Sequence, residues 1–231
     1  MTEHYKMLDT WESNGSSVAL NLCYGGFDIQ SYMDVLEHLL ITKGYTCLKY
    51  VIIGNEPQWN GVTPQKWFNF QKEFLDSLHN RGYDEHIKFV TIGDAKGHSN
   101  HYKPIAENQY YNAMVSAWDM HYYAQNGNSS PTNKLWDILD GKVTRKYFMT
   151  EAGSQEWLES PGVNTVRDKH VYAATVAKIA WQSLAYGYSG VIFWSFDDAI
   201  FRHDGEDSNL WGFWDAEDLY AGGRKLRPWF Y

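Results

Sequence analysis

The chain has 231 residues, with 20 Lys and Arg against 28 Asp and Glu and a formal net charge of -8. That length is near one barrel-sized domain and ample for a full core, and the acidic balance excludes the basic patch that DNA or RNA binding asks for. Aromatic residues make up 17% of the chain, among them 11 Trp and 17 Tyr; their flat faces suit the C–H side of a sugar ring and equally build a Trp-rich core.

Met1–Ser13 reads as the tail of a helix, with Tyr5, Leu8 and Trp11 at helical spacing. A first strand is predicted over Val18–Tyr24. The helix after it carries Tyr32, Val35, Leu36, Leu39 and Leu40 on one face and stops at Gly44. Lys49–Asn55 follows as the second strand. Thr63 then caps a helix with Pro64 at its first position, and Trp67, Phe70, Phe74, Leu75 and Leu78 line its buried side up to Gly82. Further strands are predicted over Lys88–Gly93, Trp118–Tyr123, Lys146–Glu151 and Val191–Phe196, with short helices at Tyr110–Ala117 and Thr132–Leu139. A longer helix carries Tyr172, Val176, Ile179, Ala180, Ser183 and Leu184 and ends at Gly187. Spacings of about 30 to 45 residues between strands match βα units without a sequence repeat. No linker or low-complexity tail interrupts them, so residues 1–231 read as a single domain.

Other classes of site are poorly supported. No apolar stretch reaches the roughly 18 residues of a membrane-crossing helix, so no membrane partner is expected. Met1–Lys6 has no apolar signal-peptide region, and secretion is an expectation only for a longer form. Cys23 and Cys47 stand at no metal spacing and read as buried thiols. His98 and His101 lie near Asp94 without a third ligand at fixed spacing, so they are expected to be solvated loop residues or a subsite wall. Asp197–Gly205 is acidic but lacks the spacing of a calcium loop. That long loop runs on to Trp211, Phe213 and Trp214 and is expected to cover a cleft. No metal or cofactor is expected.

Two segments carry the chemistry. Gly54-Asn55-Glu56-Pro57 and Met149-Thr150-Glu151-Ala152-Gly153 each place a glutamate where an apolar strand opens into a turn. In a parallel α/β barrel that is the face on which active sites are built. Each also has a plainer reading: Asn-Glu-Pro begins helices, with Glu favoured near the N-terminal dipole, and Glu before Ala-Gly is common turn material.

Asn55 and Glu56 after one strand, His121 and Tyr123 on a later one, Glu151 at the end of the next, and Trp194 within Phe193-Trp194-Ser195 form an ordered set. The set resembles the clan A glycoside hydrolases, retaining (β/α)8-barrel enzymes that include families 5 and 39, and it covers most of the chain in strand order. The resemblance implies a TIM barrel and a retaining glycosidase that cleaves a β-linked oligosaccharide or polysaccharide. It makes Glu56 the general acid/base and Glu151 the nucleophile, with Tyr123 donating to Glu151, Asn55 on the sugar 2-hydroxyl, His121 in the site and Trp194 flooring the subsite of the reacting sugar. The two carboxyl groups are then expected about 5 to 5.5 Å apart.

In that family the two glutamates end strands four and seven, so Val18–Tyr24 becomes strand three. About six of eight strands are then present, strands three to eight, and Leu226–Tyr231 reads as the first turn of a last barrel helix. The expectation is a partial barrel cut short at both ends, with open sheet edges through which it self-associates. A non-hydrolytic carbohydrate-binding barrel, or an inactive fragment of a glycosidase, is the alternative.

Overall fold

In the computed structural model, residues 2–22, 28–58, 60–91, 94–95, 100–125, 139, 146–155, 158–159, 163–194, 212–215 and 225–228 are described. The chain forms two compact units, Met1–Asp119 with Lys134–Lys146 and Met120–Asn133 with Tyr147–Tyr231. Cys23, His98, Asp197–Gly205, Trp211 and most of Thr132–Leu139 lie outside the described residues.

The first unit begins with helix α1 (Thr2–Ser13) and strand β1 (Val18–Leu22). Helix α2 (Ile29–Leu36) follows, capped by the Asp28 side chain, which accepts from the Ser31 N–H, and continues as a π-helical segment over Glu37–Thr42. Gly44 stops it at φ 71°, a left-handed conformation open to glycine. Strand β2 (Leu48–Ile53) lies parallel to β1 and to β3 (Lys88–Phe89), in the order β1-β2-β3, and a two-residue strand β4 (Asp94–Ala95) follows in sequence. Helix α3 (Pro64–Asn80) starts as its sequence requires, with the Thr63 hydroxyl accepting from the Lys66 N–H and Pro64 in the first turn. Trp67, Phe74, Leu75 and Leu78 are buried, each contributing about 2 kcal/mol of transfer free energy at most.

Val35 departs from the helical-face reading, because it is 42% exposed beside an open groove. His101 also departs from expectation. It is buried, with Nε2 2.6 Å from the Val62 carbonyl, because the short helices α4 (Lys103–Glu107) and α5 (Gln109–Met114) bring its loop back onto the turn before α3. The Tyr110–Ala117 helix is realised as α5, whose Asn108 cap accepts from the Tyr111 N–H.

Polar contacts hold α1. Glu12 in its last turn accepts from the N–H groups of Thr46 and Cys47, and Tyr45 donates to Asp9. Hydrogen bonding from Thr46 and Cys47 holds the Glu12 carboxyl below its ordinary pKa. Its contribution to stability is therefore present above the unfolded-state pKa and lost as pH falls through the lowered folded value. Acid titration followed by circular dichroism should show the wild-type chain losing stability in that window, with Glu12→Gln flattening the loss. Burial, and then hydrogen bonding with Glu12, push the Cys47 thiol up to about 11, consistent with an inert thiol.

In the second unit, β5 (Ala117–Ala124, entering the unit at Met120), β6 (Lys146–Ser154) and β9 (Tyr188–Phe193) are neighbours in that order, and β6 and β9 are parallel. Two short antiparallel pairs, β7 (Leu158–Glu159) with β8 (Val163–Asn164) and β10 (Trp214–Asp215) with β11 (Lys225–Leu226), accompany them. Helix α6 (His170–Ala185) buries Tyr172, Val176, Ile179 and Ser183, whereas Leu184 is 54% exposed.

Strand β9 begins three residues before the predicted Val191, directly after Gly187, whose φ of 88° ends the helix connection. Trp194 consequently follows the strand. Leu226 lies in β11 instead of opening a helix, and the adjacent Arg227 is tied down. Its Nε donates to the Gly212 carbonyl at 2.8 Å and its Nη1 lies 2.6 Å from Asp168 Oδ1, with the guanidinium buried and the carboxylate half exposed. Arg227→Ala removes both bonds, but Asp168 can rehydrate, so the expected loss is about 2 kcal/mol, measured by denaturant unfolding.

Candidate active site

The first unit presents Asn55 and Glu56 at the C-terminal end of β2. Gly54 turns the chain at φ 75°, and its N–H donates to the Leu22 carbonyl of β1. Glu56 follows at φ 40°, the single non-glycine residue with positive φ among the described residues. Such a conformation costs about 1 to 3 kcal/mol and persists where the surroundings impose it. Here Pro57 is buried, and its carbonyl accepts from the N–H groups of Asn60 and Val62, closing the loop onto the start of α3. Asn55 is exposed, and Glu56 is half-buried. The Asn-Glu-Pro segment thus follows a strand and precedes α3 by a loop; it is not the first turn of that helix.

The second unit brings His121, Tyr123 and Glu151 together. His121 and Tyr123 share one face of β5, since side chains alternate along a strand. Met120 projects to the other face, where its sulfur accepts from the Tyr188 hydroxyl, and Met149 of β6 likewise meets the Ser183 hydroxyl of α6. Strict alternation would put Glu151 on the Met149 side. Between Met149 and Ala152, however, β6 holds one residue more than β9, whose partners are Val191 and Phe193. This bulge turns Glu151 to the Tyr123 side, a common use of bulges beside functional groups.

On that side the Tyr123 hydroxyl donates to Glu151 Oε1, and His121 Nδ1 lies 3.6 Å from Glu151 Oε2. His121 is 3% exposed and the Glu151 side chain 19%, so one carboxylate oxygen has a phenol donor and the other a buried imidazole nearby. The arrangement provides an oriented carboxylate with limited solvent, suited to nucleophilic or electrostatic work.

Gly153 borders the same cluster, although Ala-Gly after a glutamate reads in sequence as turn material. A Cβ there would stand 2.9 Å from Tyr123 Cε1 and 3.0 Å from the Trp194 carbonyl oxygen. Trp194 is fixed at this point, because its N–H donates to the Ala152 carbonyl at 2.8 Å, and its side chain is 39% exposed. Tyr123 in turn packs against Tyr172 and Val176. The signal for Gly153 was its position two residues beyond Glu151, on the same strand face. Gly153→Ala is expected to push the Tyr123 ring off the carboxylate and lower kcat/KM about 10- to 100-fold, the worth of a hydrogen bond to a charged group. Tyr123→Phe should cost a similar factor. The double variant should be no worse than either single one if both act through the same bond.

No family model and no curated protein matches the chain. Among solved structures it is similar to an active-site mutant of a Rhizomucor miehei beta-1,3-glucanosyltransferase in complex with laminaritriose, with a TM-score of 0.65 and 15% identity over 93% of this chain and 78% of that one. A family 51 alpha-L-arabinofuranosidase from Bifidobacterium longum gives a TM-score of 0.66 at 11% identity, over 98% of this chain and 54% of that one. A GH1 beta-glucosidase from Exiguobacterium antarcticum B7 gives 0.58 at 9% identity, over 98% and 75%. The chain therefore spans about half the length of the arabinofuranosidase and about three-quarters of the other two. At these identities the likeness is one of fold: the chain is α/β with parallel sheets, similar to TIM-barrel glycoside hydrolases.

Proposed function

We propose that the chain is a retaining glycoside hydrolase acting on a β-linked glycan, with Glu151 as nucleophile and Glu56 as general acid/base. The observation that carries this reading is the Glu151 carboxylate, turned by a bulge toward Tyr123 and flanked by buried His121. On the barrel reading β1, β2 and β6 are strands three, four and seven of eight, which puts the two glutamates where the family carries them.

In the first step Glu151 attacks the anomeric carbon while the glycosidic C–O bond breaks, and the proton of Glu56 goes to the leaving oxygen. In the second step Glu56 takes a proton from water, whose oxygen attacks the same carbon and releases Glu151. Two displacements retain the anomeric configuration. Asn55 holds the 2-hydroxyl, His121 and Tyr123 orient Glu151, and Trp194 offers a ring face to the sugar. The proposed partner is an oligosaccharide or polysaccharide.

The experiment is a panel that includes laminaritriose, xylan, aryl β-glucosides and aryl α-L-arabinofuranosides, sampled by proton NMR during the first turnovers. Cleavage of a β-linked member with a β-anomer released first supports the reading. First release of the α-anomer from a β-linked member contradicts retention. Binding without cleavage favours a carbohydrate-binding barrel.

A further inference from the structure

Strands β5 and β6 meet in three successive pairs on the face that carries Glu151. In the first, His121 Nδ1 lies 3.6 Å from Glu151 Oε2. Two residues on, the Tyr123 ring lies against Gly153, where a Cβ would stand 2.9 Å from Tyr123 Cε1. After two more residues, Gln125 Nε2 donates to Gln155 Oε1. Residues two apart along a strand share a face, so the paired glutamines look the same way as Tyr123 and Glu151. The Gln155 N–H also donates to the Ala124 carbonyl at 2.8 Å, which carries the pairing of the two strands past Ser154, the last residue of β6, and holds the glutamines in register.

That backbone bond ties the strand ends by itself, so the amide pair is not needed for the purpose. Both glutamines are half-buried. Their bond occupies the Gln155 carbonyl oxygen and so fixes the direction of its Nε2 group, which donates to no described residue. We propose, on the glycan reading above, that Gln155 is a specificity-determining residue whose Nε2 group donates to a ring hydroxyl of the bound sugar, and that Gln125 positions it.

Three features select a sugar hydroxyl. Two strand residues rise about 7 Å, so the amide pair stands about one sugar ring beyond Tyr123, toward the open end of the strands. The Glu151 carboxylate on the same face repels anions, whereas a neutral hydroxyl oxygen accepts from an amide without that cost. Trp194, whose carbonyl borders Gly153 and whose side chain is 39% exposed, adds an apolar ring of the kind that the C–H side of a sugar covers.

The test titrates the nitrogen-15-labelled whole chain, carrying Glu151→Ala to stop turnover, with laminaritriose, cellotriose and xylotriose. The Gln155 side-chain signals are assigned by their loss in Gln155→Glu. At least one trisaccharide is expected to move them. Gln155→Glu still accepts from Gln125 Nε2 and keeps the pair, but it has no N–H to offer, and it should weaken that trisaccharide about tenfold. Gln125→Leu frees the donor without removing it and should weaken binding by a smaller factor, about threefold. One member of the monodeoxy series of the same sugar should bind the parent chain about tenfold weaker and lose nothing more in Gln155→Glu, because both changes remove one bond.

A trisaccharide that binds without moving the Gln155 signals, or that binds Gln155→Glu as tightly as its parent, overturns the assignment. Binding of none of the three overturns it as well. A further loss in Gln155→Glu for every deoxy analogue overturns the direct bond to a ring hydroxyl. Shifted Gln155 signals with a sugar that the wild-type chain leaves uncleaved uphold the hydroxyl donor and remove the hydrolase, and cleavage of a sugar that never moves those signals does the reverse.

Discussion

Glu151→Ala is expected to lower turnover on the order of 10⁵-fold or more, the scale on which removal of an attacking nucleophile is felt. The loss should be recoverable. Truncation to Ala leaves a small space beneath the anomeric carbon while Tyr123 and His121 keep their places on β5. Azide entering that space attacks from the side the carboxylate used, and a single displacement then gives a glycosyl azide of inverted configuration. Rescue with inversion assigns Glu151 the attacking role. If azide changes neither rate nor product while the variant remains folded by circular dichroism, Glu151 acts otherwise.

Glu56→Ala is expected to have an effect that depends on the leaving group. Donation of a proton to a departing sugar oxygen is worth about 10² to 10⁴ in rate, so natural glycosidic bonds and alkyl glycosides should be cleaved slower by that factor. A dinitrophenyl glycoside departs without a proton, and its first step should be nearly unchanged. Its glycosyl-enzyme should then accumulate as a burst, because the base for the second step is gone. Equal loss on all substrates would take Glu56 out of the acid role.

The parts of this fold that local chemistry dictates were legible in the sequence. Thr63 and Pro64 specify the start of α3, Gly44, Gly82 and Gly187 close their segments at positive φ, and β1, β2, β5 and β6 fall within a few residues of their apolar runs. Features that depend on a neighbouring strand or helix were not legible. The β6 bulge exists only relative to β9, so alternation alone would have turned Glu151 toward the Met149 side. The apolar run Val191–Phe196 predicts a strand that includes Trp194, whereas pairing with β6 runs from Tyr188 to Phe193. Val35 and Leu184 fit a helical stripe in sequence but stand exposed, because a stripe does not say how wide the partner is. His101 looked like loop material until the Val62 carbonyl came within reach.

The candidate site was legible as residue types in order, and less so as geometry. The Tyr123–Glu151 bond was expected from the family resemblance and is present. The strained backbone of Glu56 is not encoded in Asn-Glu-Pro as such; it arises where the β2 end is tied to β1 through Gly54 and the following loop folds onto α3. Gly153 acquires its role only when Tyr123 and Trp194 close around it.

The central claim is that Glu151 becomes covalently bonded to the sugar during turnover. Its most direct test is incubation with the 2-deoxy-2-fluoro glycoside, bearing a good leaving group, of whichever sugar the panel shows to be cleaved. The fluorine slows both steps by destabilising the oxocarbenium-like transition state, and the activated leaving group lets the first still proceed, so the intermediate accumulates. Proteolysis and tandem mass spectrometry should then find one fluoroglycosyl group per chain, on the peptide containing Thr150-Glu151-Ala152 and esterified to Glu151. A label on any other carboxylate, or no label from an enzyme that turns over the parent sugar with inversion, would contradict it.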